Sequence, residues 1–75
     1  MAEPLKYTVL IERTETGYSA WVPDLPGCGA TGGTEVEVRA NVQAALQIHL
    51  RSMREDGDEI PEPTSTAAVV EVENG

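Results

Sequence analysis

The sole cysteine and the sole histidine, Cys28 and His49, are the residues most able to do chemistry. A thiol attacks as its thiolate, so a nucleophilic Cys28 would need a base such as the His49 imidazole within hydrogen-bond reach. Nothing in the sequence supplies a third group to orient that imidazole. Cys28, directly after Pro26-Gly27, reads as a small buried thiol. His49 falls on an apolar helical stripe and reads as a hydrogen-bonded core or interface residue. One cysteine and one histidine also exclude an internal disulfide and a zinc-finger ligand set. The run Asp56-Gly57-Asp58-Glu59 gathers carboxylates without the regular ligand spacing of a calcium loop, and reads as a solvated helix end. Asn41 shares the helical stripe, where its amide is expected to satisfy backbone groups of the Pro-Gly bend. Tyr18 and Trp21 either anchor a partner or pack in the core. No catalytic residue, metal ligand or cofactor-binding residue is expected.

These residues need elements to hold them. From Lys6 to Arg13, Tyr7, Val9 and Ile11 alternate with Thr8, Leu10 and Glu12, which predicts a strand. A turn at Thr14–Gly17 leads to a second strand over Tyr18–Val22, ended by Pro23-Asp24-Leu25-Pro26-Gly27, whose prolines remove ladder donors. A short third strand is expected over Cys28–Thr31. Thr34 and Glu37 form a Thr-x-x-Glu capping box that opens a helix. Along it Val38, Val42, Ala45, Leu46, His49, Leu50 and Met53 make the apolar stripe, and Arg39, Gln43, Gln47, Arg51 and Arg54 the wet side. Gly57 stops the helix, Pro61 and Pro63 keep the chain extended, and Thr66–Glu73 reads as a last strand.

The fold class is therefore α+β, with element order β-β-β-α-β in a single domain over residues 1–75. Two hairpins give three antiparallel strands, and a right-handed helical crossover returns the last strand beside and parallel to the first. The helix covers one face. Leu10, Trp21 and Val69 are expected on the other, as an exposed apolar patch of the kind that marks an interface.

With 75 residues, 40% of them hydrophobic and only Tyr7, Tyr18 and Trp21 aromatic, the core is thin. A chain of this size commonly draws support from a partner subunit, so a homodimer or homotetramer is expected. The net charge of −8 opposes nucleic-acid binding, which needs clustered Lys and Arg, and either favours a basic protein partner or only keeps a small protein soluble. No apolar run approaches the ~20 residues that span a bilayer. Met1-Ala2-Glu3-Pro4 lacks a basic-then-apolar leader layout, which points to the cytoplasm and no membrane.

Tyr7-x-Val9-x-Ile11-Glu12, Gly17-Tyr18-x-Ala20-x-Val22-Pro23-Asp24-Leu25-Pro26-Gly27-Cys28, Thr34-x-x-Glu37, Asn41, Ala45, His49-Leu50 and Gly57-x-x-Ile60-Pro61-x-Pro63 together resemble the HicB-like antitoxin family in its short form. The resemblance runs from about Lys6 to Pro63. It implies a truncated ribonuclease H-like β-β-β-α-β fold and a role in binding HicA, a small basic RNA-cleaving toxin. Two departures stand out. Full-length relatives carry a C-terminal DNA-binding segment, whereas residues 55–75 here hold seven acidic residues and no Lys or Arg. Val38 and Gly33 stand where the family usually has Ala and an acidic residue.

A ribonuclease H-like outline raises nuclease activity, which needs several carboxylates converging on metal ions. The expected inward positions of the first strand and helix, Tyr7, Val9, Ile11, Val38, Asn41 and Ala45, offer none, so no enzyme is expected. The expected function is that of an antitoxin in a type II toxin–antitoxin system, with Trp21, Asp24, Leu25, Glu55, Asp58 and Glu59 as candidate partner contacts. The alternative is a stand-alone homo-oligomeric binding or regulatory domain with no toxin.

Overall fold

The computed structural model describes residues 4–75. The leader reading of Met1, Ala2 and Glu3 lies outside the described residues. Three strands, β1 (Leu10–Arg13), β2 (Tyr18–Trp21) and β3 (Gly29–Gly32), precede one helix, α1 (Glu35–Glu55). They form an antiparallel sheet in the order β1-β2-β3, giving an α+β fold.

β1 is shorter than the expected Lys6–Arg13, and the register supplies the reason. Leu10 pairs with Trp21 and Ile11 with Ala20, so continuing the ladder would set Thr8 opposite Pro23, which has no N–H to donate. The Val22 N–H is already given to the Cys28 carbonyl at 3.1 Å. β3 begins one residue later than expected, at Gly29.

Ile11, Ala20 and Ala30 align across the three strands on the face that meets α1. Val38, Val42 and Leu25 close over them with Val22 and Cys28 to form the core. The close approach of helix to sheet depends on Gly32: a Cβ there would stand 2.6 Å from the Val38 nitrogen and 2.9 Å from its Cα.

The helix ends follow local chemistry. The Thr34 hydroxyl accepts from the Glu37 N–H at 3.1 Å, and the Glu37 carboxylate reaches back to the Gly33 N–H at 2.8 Å. The capping box thus closes one residue further out than its usual form. At the other end Gly57 takes a φ of 75°; its N–H donates to Arg54 and that of Asp58 to Met53, the two bonds of a Schellman cap.

The parallel fourth strand expected over Thr66–Glu73 does not form within the chain. The sheet has three strands, and Val69, Val70 and Val72 are 101%, 76% and 86% exposed. A strand needs a neighbouring edge for its N–H and C=O groups, and this segment has none beside it. The radius of gyration, 14.5 Å, accordingly exceeds the ~11 Å of a compact chain of this length.

Candidate partner-binding surface

The bend after β2 is an ordered knot. The Leu25 N–H donates to Val22 and the Cys28 N–H to Leu25, each at 3.0 Å, while Gly27 adopts a φ of 84°. This folding tucks Leu25 inward until it is 1% exposed. Leu25, a candidate contact by sequence, is thus corrected to a core residue. A leucine between two prolines looks like part of a surface loop, and only the turn bonds reveal that it points in.

Asp24 is also committed within the chain. One carboxylate oxygen accepts from the Thr64 and Ser65 N–H groups, both at 3.0 Å, and the other from their hydroxyls at 3.1 and 2.7 Å. These bonds, led by the Ser65 N–H, hold the Asp24 carboxyl below the usual carboxylate range. The Thr8 hydroxyl donates to the Ser65 carbonyl at 2.6 Å, and the Tyr7 hydroxyl to the Pro61 carbonyl. Burial first, then the charge of Asp24, pushes the Tyr7 phenol up despite Arg54 nearby, so it stays protonated to donate. Asp24, Tyr7 and Thr8 therefore fasten the chain that follows the helix against the start of β1.

Trp21 is 42% exposed and is paired with Leu10 on the sheet face away from α1. This is the apolar patch expected there, with Val69 carried away on the unpaired segment. Glu55, Asp58 and Glu59 are all exposed around the Schellman turn. Among the described residues, no group of three or more His, Cys, Asp or Glu comes within reach of a common metal ion.

Cys28 lies in the core cluster, and burial pushes its thiol up, away from the thiolate a nucleophile requires. Asn41 is exposed and donates from its side-chain nitrogen to the Thr31 carbonyl at 2.8 Å. Its amide thus ties α1 to β3, where a bond to the Pro-Gly bend was expected; the helix crosses the sheet at Gly32, which brings position 41 over the neighbouring residue.

One feature escaped the sequence reading. Between β1 and α1 runs an open cleft of about 390 Å³, walled by Tyr7, Val9, Ile11, Val42 and Leu46 and edged by Arg39 and Gln43. Neighbouring hollows continue it along the helix past Lys6, Arg51 and Arg54 to Glu55. Four of the five basic residues thus rim one groove of a chain with thirteen acidic residues. The helical spacing of Arg39, Gln43, Gln47 and Arg54 carried a partial signal.

No helix among the described residues is long and apolar enough to cross a membrane. No solved structure matches the chain. An uncharacterised protein from the rep-hol intergenic region of Haemophilus phage HP1 is 40% identical over 55 residues, covering 73% of this chain and 41% of its own. A UPF0150 protein of Thermoplasma acidophilum is 38% identical over 58 residues, covering 76% and 84%. Antitoxin HicB 2 of Photorhabdus laumondii is 38% identical over 73 residues, covering 96% of this chain. The chain spans about half the length of that antitoxin, 52%. A family described as the HicB-like antitoxins of bacterial toxin–antitoxin systems matches residues 7–74, and with these relatives it establishes that the chain belongs to that family.

Proposed function

We propose that the chain is an antitoxin that neutralises a HicA-type RNA-cleaving toxin by binding it, with no chemistry of its own. Membership of the HicB-like antitoxins over residues 7–74 carries this reading. The charge distribution supports the mechanism. With most of the basic residues gathered along one groove, the remaining surface is more acidic than the net −8 suggests. A basic toxin is steered to that surface and repelled from the groove.

Trp21, exposed beside Leu10 on the uncovered face of the sheet, is the apolar anchor, and Asp58 and Glu59, with Glu55 at the edge of the groove, supply the attraction. The test is titration of the chain into an RNA-cleavage assay of a small basic HicA-type toxin. Cleavage falls to background at equimolar antitoxin, and the affinity weakens as salt is raised. Trp21→Ala costs about 2 kcal/mol of binding, as expected for an aromatic anchor, against a loss of about 1 kcal/mol or less in the stability of the free chain from its cross-strand pair with Leu10. Undiminished cleavage in the presence of excess chain would refute the proposal.

A further inference from the structure

The molecule holds two features that complement each other and do not meet within one chain. β1 is an edge strand whose outer hydrogen-bonding groups face no neighbour in the sheet, and the cleft behind it is apolar and open. Thr66–Glu73 pairs with no strand of its own chain, carries Val70 and Val72 at a strand spacing of two, and leaves those side chains largely in water. Exposed edges and exposed β-branched segments are the two halves of a strand-addition interface.

We propose that residues 66–73 of one chain complete the sheet of a second copy, adding to its β1 edge with Val70 and Val72 in the cleft between Val9, Ile11, Val42 and Leu46. Three observations select a second copy as the occupant. The segment is rooted at Ser65, which Asp24 and Thr8 pin in place, and among the described residues no hydrogen bond ties anything beyond Ser65 to the chain's own body. The molecule is elongated, 51 Å along one axis against 26 and 22 Å along the others, and Val69, Val70 and Val72 are 101%, 76% and 86% exposed. The segment is therefore held outward while the cleft beside its own β1 stays empty.

Charge makes the third argument. The cleft lies on the basic side of the molecule, near Arg39 and Lys6, while the segment bears Glu71 and Glu73 and no positive residue. Its attraction to that side is the reverse of what a basic toxin would meet there. Exchange in both directions gives a closed two-fold dimer, which leaves neither copy's β1 edge free to polymerise. The inference stands apart from the antitoxin reading, because it is measured with no toxin present.

Light scattering on the purified full chain is expected to give twice the 8.0 kDa of one copy. Val70→Asp with Val72→Asp should weaken the dimer by at least about tenfold while leaving the circular dichroism of the body unchanged, since both side chains are exposed in the single chain. Isotope-filtered spectra of a mixed labelled and unlabelled sample separate exchange from closure within one chain. Intermolecular contacts from the Val70 and Val72 methyls to Val9 and Ile11 support the proposal. A chain that stays monomeric up to millimolar concentration, a dimer indifferent to the two aspartates, or contacts confined to a single chain would each overturn it.

Discussion

Gly32→Ala isolates the packing of helix on sheet. The added methyl meets backbone alone: the Val38 nitrogen at 2.6 Å, the Val38 Cα at 2.9 Å and the Glu37 carbonyl carbon at 3.1 Å. No side chain can rotate out of the way, so either α1 lifts from β3 or the strand bends. Gly32 is not in the left-handed region, which among the described residues only Gly27 and Gly57 occupy, so alanine meets no backbone strain of its own. In the unfolded chain alanine has fewer conformations than glycine, which favours folding by about 0.4–1 kcal/mol. Overpacking a tight contact costs about 1–3 kcal/mol and more where backbone must move. The sum is a net loss of about 1–2 kcal/mol, appreciable against the roughly 4–11 kcal/mol typical of a 75-residue domain. Urea unfolding followed by Trp21 fluorescence measures it, with Gly33→Ala as control, because there the methyl meets only the movable Glu37 carboxylate at 3.2 Å. An equally stable or stabilised Gly32→Ala would show that α1 does not lie on β3 at this closeness.

Two further outcomes follow from the bend after β2. Leu25→Ala removes a side chain that is 1% exposed and should cost about 3 kcal/mol of stability; a variant of unchanged stability that only loses affinity for a partner would return Leu25 to the surface. Asp24 is depressed in the folded chain by its bonds from Ser65 and Thr64, so its contribution is full above the unfolded value of 3.8 and is lost as pH falls through the lower folded value. The protection of the Thr64 and Ser65 amides, taken relative to their intrinsic exchange rate at each pH, should therefore be highest at neutral pH and fall as Asp24 is protonated, and in Asp24→Asn it should lose this pH dependence. Protection that survives full protonation of the carboxyl would contradict the clamp.

The parts of the fold that were legible in the sequence are those decided by neighbours along the chain. The Thr34–Glu37 cap and the Gly57 stop each close within four residues, and the helical stripe of Val38, Val42, Leu46 and Leu50 packs toward the core as its spacing predicts. What escaped depends on partners brought together by folding. The truncation of β1 needs the register that sets Thr8 against Pro23. The role of Asp24 needs Ser65, forty-one positions away, and a candidate partner contact becomes a fastening inside the chain once that residue arrives. The burial of Leu25 needs the turn bonds that point it inward.

The segment Thr66–Glu73 shows most clearly where periodicity stops informing. Alternating valines and glutamates establish that a stretch can lie on a sheet with one face dry, which is a statement about the kind of edge it fits. They carry no information about which copy of the edge is within reach, because every copy presents the same one. That choice belongs to the anchor at Ser65 and the direction it imposes. A four-residue edge strand over a core whose fully buried members include no aromatic residue gains most from whatever strand arrives, since each added valine covers apolar surface that the lone helix leaves wet. A strand-forming pattern can thus remain correct while the strand itself is absent from the single chain, and the completeness of the sheet then becomes a function of protein concentration.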